Sequence, residues 1–206
     1  MKRAALGFRM HSGWGVLVAI DDGQQVIGRY RIGVIGDKTP GGRQPYHYAA
    51  QLGLPAAEKY LSNYVSECTA IAREAIRGIL IDLQSRFHLA GAAVLQASGR
   101  NLPPLPQILA AHPLIHTAEG KLFRDVVSRV CESLNIGVLE VPERELQKCL
   151  TESFAAAAPR VLEAIADAGK SLGPPWNADH KSAALGACLV LQPRTHTDVK
   201  RKASNA

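Results

Sequence analysis

Short apolar runs broken by polar turns open the chain, and three-and-four-residue periodicities follow them. Residues 4–9 and 14–20 predict two strands around the polar break Arg9-Met10-His11-Ser12-Gly13. Asp21-Asp22-Gly23-Gln24 has Asp-Gly turn chemistry and leads into a third strand near residues 25–35. Residues 36–55, rich in Gly and Pro, predict a long loop. Beyond them Leu61, Val65, Cys68, Ile71, Ala72, Ile76, Leu80, Leu83 and Phe87 recur on one face of a long helix. Residues 91–97 are continuously apolar, the pattern of a parallel strand buried on both faces. A short helix near 107–111 is expected to stop at Pro113, and a second to begin near Thr117 with Leu122, Phe123, Val126 and Val130 inward. Residues 137–141 predict a fifth strand, ended by Pro142. Helices are then expected near 143–150, 159–172 and 178–191, the last with Asp179 as its N-cap.

Composition changes this picture little. The chain has 206 residues, 47% hydrophobic and 20% charged, which fits one globular domain over residues 1–192. Residues 193–206 read as a basic, disordered tail. Net charge is +6, and the tail contributes half of it through Arg194, Lys200, Arg201 and Lys202 against Asp198. A tail of this kind adds non-specific phosphate affinity. No apolar run is long enough to cross a membrane, and no secretory leader is read, so no membrane partner is expected. Cys68, Cys131, Cys149 and Cys188 form no CxxC pair, and read as small hydrophobes in a reducing cytoplasm. Oligomeric state stays open, a homodimer included.

The order of three strands, helix, strand, helix, strand and terminal helices resembles the ribonuclease H-like fold, and most nearly that of bacterial Holliday-junction resolvases. The residues that carry the likeness are Leu6-Gly7-Phe8 before the hairpin, Gly137-Val138-Leu139-Glu140-Val141 with Arg144, and Asp179-His180-Lys181-Ser182 at the last helix. The chain also resembles a small family of uncharacterised bacterial proteins. The resemblance implies an α/β fold with a five-stranded mixed sheet of order 3-2-1-4-5, strand 2 antiparallel, flanked by helices. It further implies that the segments after strands 1, 3, 4 and 5 share one sheet edge with the start of the last helix, where sites collect in such sheets.

Nucleases of this fold hold two divalent ions on carboxylates, and the corresponding positions here are Arg9, Gln96, Asp179 and Ser182. Arg9 would repel Mg²⁺, so two-metal cleavage is disfavoured. Histidines offer a substitute. His47, His112 and His116 with Asp179 are candidate ligands for Zn²⁺ or Mn²⁺, Mg²⁺ suiting imidazole less well. His11, His116, Glu119 and Asp179 are the candidate catalytic groups. Arg9, Ser12, Trp14, Arg43, Tyr46, Arg144 and Lys181 are candidate contacts to a phosphate or an unpaired base. Structural readings stand beside each of these: Thr117 as a helix cap with Glu119 in its first turn, Trp14 and Tyr46 packed under the long loop, Asp179 as a cap, and Glu143-Arg144-Glu145 as a plain helix start. Two functions follow: a nuclease-like hydrolase with a rearranged site, or a non-catalytic module binding nucleic acid or another phosphate-bearing ligand. The hydrolase needs His11, His47, His116, Glu119, Glu143 and Asp179 to meet in one pocket.

Overall fold

Strands β1 (Lys2–His11), β2 (Trp14–Asp21), β3 (Val26–Gly33), β4 (Phe87–Gln96) and β5 (Val138–Pro142) form one sheet in a computed structural model, which describes residues 1–97 and 101–192. The order is β3-β2-β1-β4-β5. Strand β2 runs antiparallel to β1 and β3, and β1, β4 and β5 are parallel. The expected topology is therefore the observed one. Helices α1 (Pro45–Ala49), α2 (Leu54–Arg86), α3 (Leu105–Leu109), α4 (His112–Ser133), α5 (Leu146–Phe154), α6 (Ala158–Leu172) and α7 (Ala178–Leu191) complete the chain. The basic tail of residues 193–206 lies outside the described residues. None of the described helices is long and apolar enough to cross a membrane.

Helices cover both faces of the sheet. Leu6, Phe8 and Met10 of β1 pack with Tyr64, Cys68 and Ile76 of α2 and with Phe123 and Val126 of α4. On the other face Ala5 of β1 and Val16, Val18 and Ile20 of β2 pack against α6 and α7. Burial on both sides explains why β1 and β2 read as unbroken apolar runs rather than alternating ones. Gly7 sets how closely α7 approaches. A Cβ there would sit 1.8 Å from the carbonyl oxygen of Ala183, so the α7 backbone lies directly on β1. One helical turn before Ala183 comes Asp179, and two residues beyond Gly7, on the same face of β1, comes Arg9.

Four boundaries differ from expectation, each for a local reason. The loop over 36–55 contains α1, which starts on Pro45, a residue tolerated in a helix's first turn. Helix α2 passes straight into β4 at Phe87. Pro113 does not stop a helix but lies in the first turn of α4, which begins at His112. Thr117 is therefore inside α4, its hydroxyl donating to the Pro113 carbonyl at 2.9 Å, and it caps nothing. Finally, the N-cap of α7 is Asn177, whose side chain accepts from the His180 backbone N–H at 3.3 Å. Asp179 is thereby left free to point elsewhere.

Candidate functional site

The end of β1, the start of α7 and the turn after β5 bring four polar side chains together. Arg9 Nε donates to Glu143 Oε1 at 2.8 Å, and its Nη1 donates to Asp179 Oδ1. His11 Nε2 lies 2.9 Å from Asp179 Oδ2 and 2.8 Å from Arg9 Nη1. That nitrogen serves one of the two at a time: as N–H it donates to Asp179, and as a lone pair it accepts from Arg9. Side-chain exposure is 24% for Arg9 and 17% for Asp179, so the pair is largely withdrawn from water. The His11 ring stacks on Trp14 at 4.4 Å, and the Arg31 guanidinium carbon lies 3.8 Å from the Trp14 ring centre. Because β2 runs between β1 and β3, His11 and Arg31 flank the indole from two sides.

This donor set does not fit two Mg²⁺ ions. The Arg9 guanidinium already lies between the carboxylates of Asp179 and Glu143, where it meets their charge with its own. Gln96, at the end of β4, donates its amide to Glu140 at 3.0 Å. No step of two-metal chemistry is derived from these residues.

A second cluster stands on α1 and α4, on the opposite face of the sheet from α7. His112 and His116 are four residues apart on α4, and His47 of α1 closes against both, with ring centres 4.5–5.1 Å apart. One ligand-capable nitrogen from each lies within 4.8 Å of the others. Glu119 organises the group. Its side chain is 5% exposed, and Oε1 accepts both the His47 backbone N–H at 3.2 Å and His47 Nδ1 at 2.9 Å. His116 Nδ1 is 3.9 Å from Glu119 Oε2. A carboxylate can only accept, so His47 donates from Nδ1, and in the neutral ring Nε2 then holds the lone pair.

Arg124, which sequence reading did not single out, stands between the two clusters, over Gly120 on α4 and within the electrostatic reach of Glu143 and Arg9. His112, His116, Gly120 and Arg124 follow one another at four-residue intervals along one face of α4. A Cβ on Gly120 would lie 2.9 Å from Arg124 Nη1, so the guanidinium is folded back over the glycine. Burial lowers its pKa from the ordinary guanidinium value, with Glu143 opposing and Arg9 adding to that direction. It makes no ion pair among the described residues. The four-residue spacing was the available signal, hidden because the helix was expected to begin after His116.

The single pocket expected from the sequence is thus two clusters, with no hydrogen bond or ion pair joining them among the described residues. His11, Asp179 and Glu143 gather around Arg9, while His47, His112, His116 and Glu119 gather apart from them. Asp179 does not stand with the three histidines as a fourth ligand, because Arg9 and His11 hold it. Arg9 is tied to carboxylates rather than open to a phosphate, and Trp14 is flanked on both sides. Tyr46 is half-buried against Ile108, Ile115 and Ala118, and burial raises its pKa, with Asp125 and Glu119 adding to the shift. Glu119 lies in the second turn of α4, not the first. Ser12, Arg43 and Arg144 are exposed, and Lys181 is half-buried. Arg144 pairs with Glu145 at 3.3 Å. The opposite edge holds plain turn chemistry, with Asp21 accepting from Gly23 and Gln25.

No family model matches the chain, and no curated protein does. Solved structures do. The RuvC of Thermus thermophilus in complex with a Holliday junction substrate has a TM-score of 0.50 at 10% identity, over 98% of this chain and 97% of that one. A second Thermus thermophilus RuvC structure gives 0.49 at 9% identity, over the same shares. The fold is ribonuclease H-like. At this identity the likeness covers architecture and carries no residue role across. Within that architecture, the end of the first strand here holds an arginine bound to two acids.

Proposed function

We propose that this chain binds the phosphate backbone of nucleic acid at the carboxyl edge of its sheet and does not cleave it by two-metal chemistry. The observation that carries this reading is the ion pairing of Arg9 with Asp179 and Glu143, which occupies the carboxylates such cleavage needs. Fold supports the ligand class: a solved structure of similar architecture is RuvC with a Holliday junction. Charge supports it as well, since exposed Arg43 and Arg144 lie in segments that follow β3 and β5 at that edge, on a chain of net charge +6. A metal-dependent hydrolase remains the second reading, favoured by the three histidines on α1 and α4 rather than by the acids.

Fluorescence anisotropy with labelled four-way, single-stranded and duplex DNA tests the proposal. Binding is expected to weaken linearly in log–log form as salt rises. Replacing Arg43 and Arg144 together by Ala is expected to reduce that slope by about 2. Gels run with Mg²⁺ and with Mn²⁺ are expected to show intact DNA. Absence of binding at low salt overturns the ligand class, and cleavage that disappears in Asp179→Ala overturns the non-catalytic part.

A further inference from the structure

We infer that His47, His112 and His116 form a three-histidine site for a divalent transition metal of the zinc class, with the Arg124 guanidinium, folded back over Gly120 one helical turn from His116, to hold a phosphate-type anion on the metal's remaining position. Four features converge on it. The imidazoles come from two separate helices and meet with their ligand-capable nitrogens within 4.8 Å. Three nitrogens around zinc at about 2.1 Å stand roughly 3.3 Å apart, so closure by ~1.5 Å completes the set, a movement within reach of side-chain rotation. Two of the histidines are spaced four residues apart on one helix, the interval that aims both side chains at a common point.

Glu119 is the strongest of these features. A carboxylate 5% exposed that accepts from His47 Nδ1 does to this ring what outer-sphere carboxylates do at zinc centres: it fixes the tautomer and keeps the other nitrogen for a ligand. A surface histidine needs no such buried partner. Three neutral ligands with one position left open also suit an exchangeable ligand better than a closed structural site does. The Arg124 guanidinium supplies the charge for that ligand. It lies over Gly120, one turn beyond His116 on the same face, half-buried and without an ion pair among the described residues. Guanidinium and metal together match two oxygens of a phosphate.

The metal half of this inference stands without the nucleic-acid reading, and the anion half deepens it. Untagged full-length chain, stripped with chelator, is titrated with Co²⁺ and with Zn²⁺ in the absence of DNA. One equivalent is expected to bind, with the intense visible absorption of four-coordinate cobalt. Because His112 and His116 are both exposed, the double variant His112→Ala/His116→Ala is expected to fold, as circular dichroism will report, and to lose stoichiometric metal uptake altogether, since a single imidazole is left. Uptake of less than one equivalent, or uptake unchanged in that variant, overturns the metal site.

Inorganic phosphate is then added to the cobalt-loaded chain. It is expected to change the visible spectrum, and Arg124→Met and Gly120→Ala are each expected to weaken that response about tenfold while leaving metal affinity unchanged. Gly120→Ala is the sharper arm, because its new methyl group displaces only the far end of a flexible side chain. A spectrum indifferent to phosphate, or a response equal in all three proteins, removes the anion. Failure of DNA binding beside intact cobalt and phosphate responses overturns the nucleic-acid reading alone.

Discussion

The cluster around Arg9 and the cluster around Glu119 use the same residue types and differ in how far their charges are already matched. Around Arg9 a guanidinium meets two carboxylates and a histidine within a largely covered space, and little bonding capacity is left over. Around Glu119 one buried carboxylate meets His47 and His116, with His112 beside them and the Arg124 guanidinium over Gly120 making no ion pair among the described residues. The first is a closed network that joins β1, α7 and the turn after β5. The second is a set of donors awaiting something to donate to. Both clusters draw on segments that follow the carboxyl ends of strands, so position alone does not separate them, and unsatisfied capacity does.

The largest effect expected from testing this contrast comes from Gly7→Ala. The added methyl meets the Ala183 backbone at 1.8 Å, which no rotamer relieves, so α7 must move off β1. A loss of about 3 kcal/mol in chemical denaturation is expected, the upper end of ordinary overpacking. The Arg9–Asp179 contact is expected to go with it, while His47, His112 and His116, on the other face, keep their cobalt uptake. Cobalt binding that fails in folded Gly7→Ala shows that the two clusters are one unit.

Next comes Arg9→Ala. It removes the guanidinium that both Asp179 and Glu143 contact, leaving only His11 beside Asp179 and the more distant Arg124 near Glu143. Breaking a fully buried pair costs about 3–5 kcal/mol, but these side chains are 17–34% exposed, so about 2 kcal/mol is expected. Adding Asp179→Asn and Glu143→Gln is expected to recover most of the loss, a non-additivity that a double-mutant cycle measures. A loss below about 0.5 kcal/mol makes the network an ordinary surface ion pair and removes the main argument against metal at that edge.

Glu119→Gln probes the second cluster with a smaller effect. The amide keeps the shape of the side chain but can turn its NH₂ toward His47, which frees the imidazole to adopt the other tautomer. Metal affinity is expected to fall tenfold to a hundredfold, about what loss of an outer-sphere partner costs, and stability by about 1 kcal/mol. Unchanged metal affinity assigns Glu119 a purely structural role in pinning α1 to α4.

The strands themselves and the placement of Arg9 at the end of β1 were legible in the sequence because apolar runs and Asp-Gly turns are local signals, whereas the sheet order followed only from the resemblance to the ribonuclease H-like fold. The three histidines of the α1/α4 cluster were named as candidate ligands, but that two of them share one helix face was not legible, and Pro113 is the reason. Proline both ends helices and starts them, and only the chain's path decides which. Read as a stop, it placed His112 and His116 on separate segments. Asp179 was misassigned for a similar reason: Asn177 and Asp179 are both good caps two residues apart, and choosing one changes whether the other carboxylate is free. His47 reaches α4 only because Tyr46 beside it packs against Ile108, Ile115 and Ala118, a contact with no sequence periodicity.

The smallest expected effect is a pH dependence confined to the first region. His180 follows Asp179 in the first turn of α7, 8% exposed, with Nδ1 donating to Asn177 Oδ1 at 2.7 Å. Burial lowers its pKa from 6.5, the nearby Arg29 guanidinium lowers it further, and Asp179 opposes both. The unfolded chain therefore takes up a proton near pH 6.5 that the folded chain refuses. His180 contributes its full share of stability above that pH, and the share is lost as pH falls from 6.5 toward the lower folded-state value. Melting temperatures of metal-free wild type and His180→Gln, measured across this range, are expected to converge or cross as pH drops, because only the wild type has that proton to exclude. A constant difference between the two shows that His180 acts through its cap hydrogen bond alone. Cobalt-loaded protein adds the opposite control: the gain in melting temperature from metal is expected to be the same in both proteins at a given pH, since its ligands stand on α1 and α4 and not on α7.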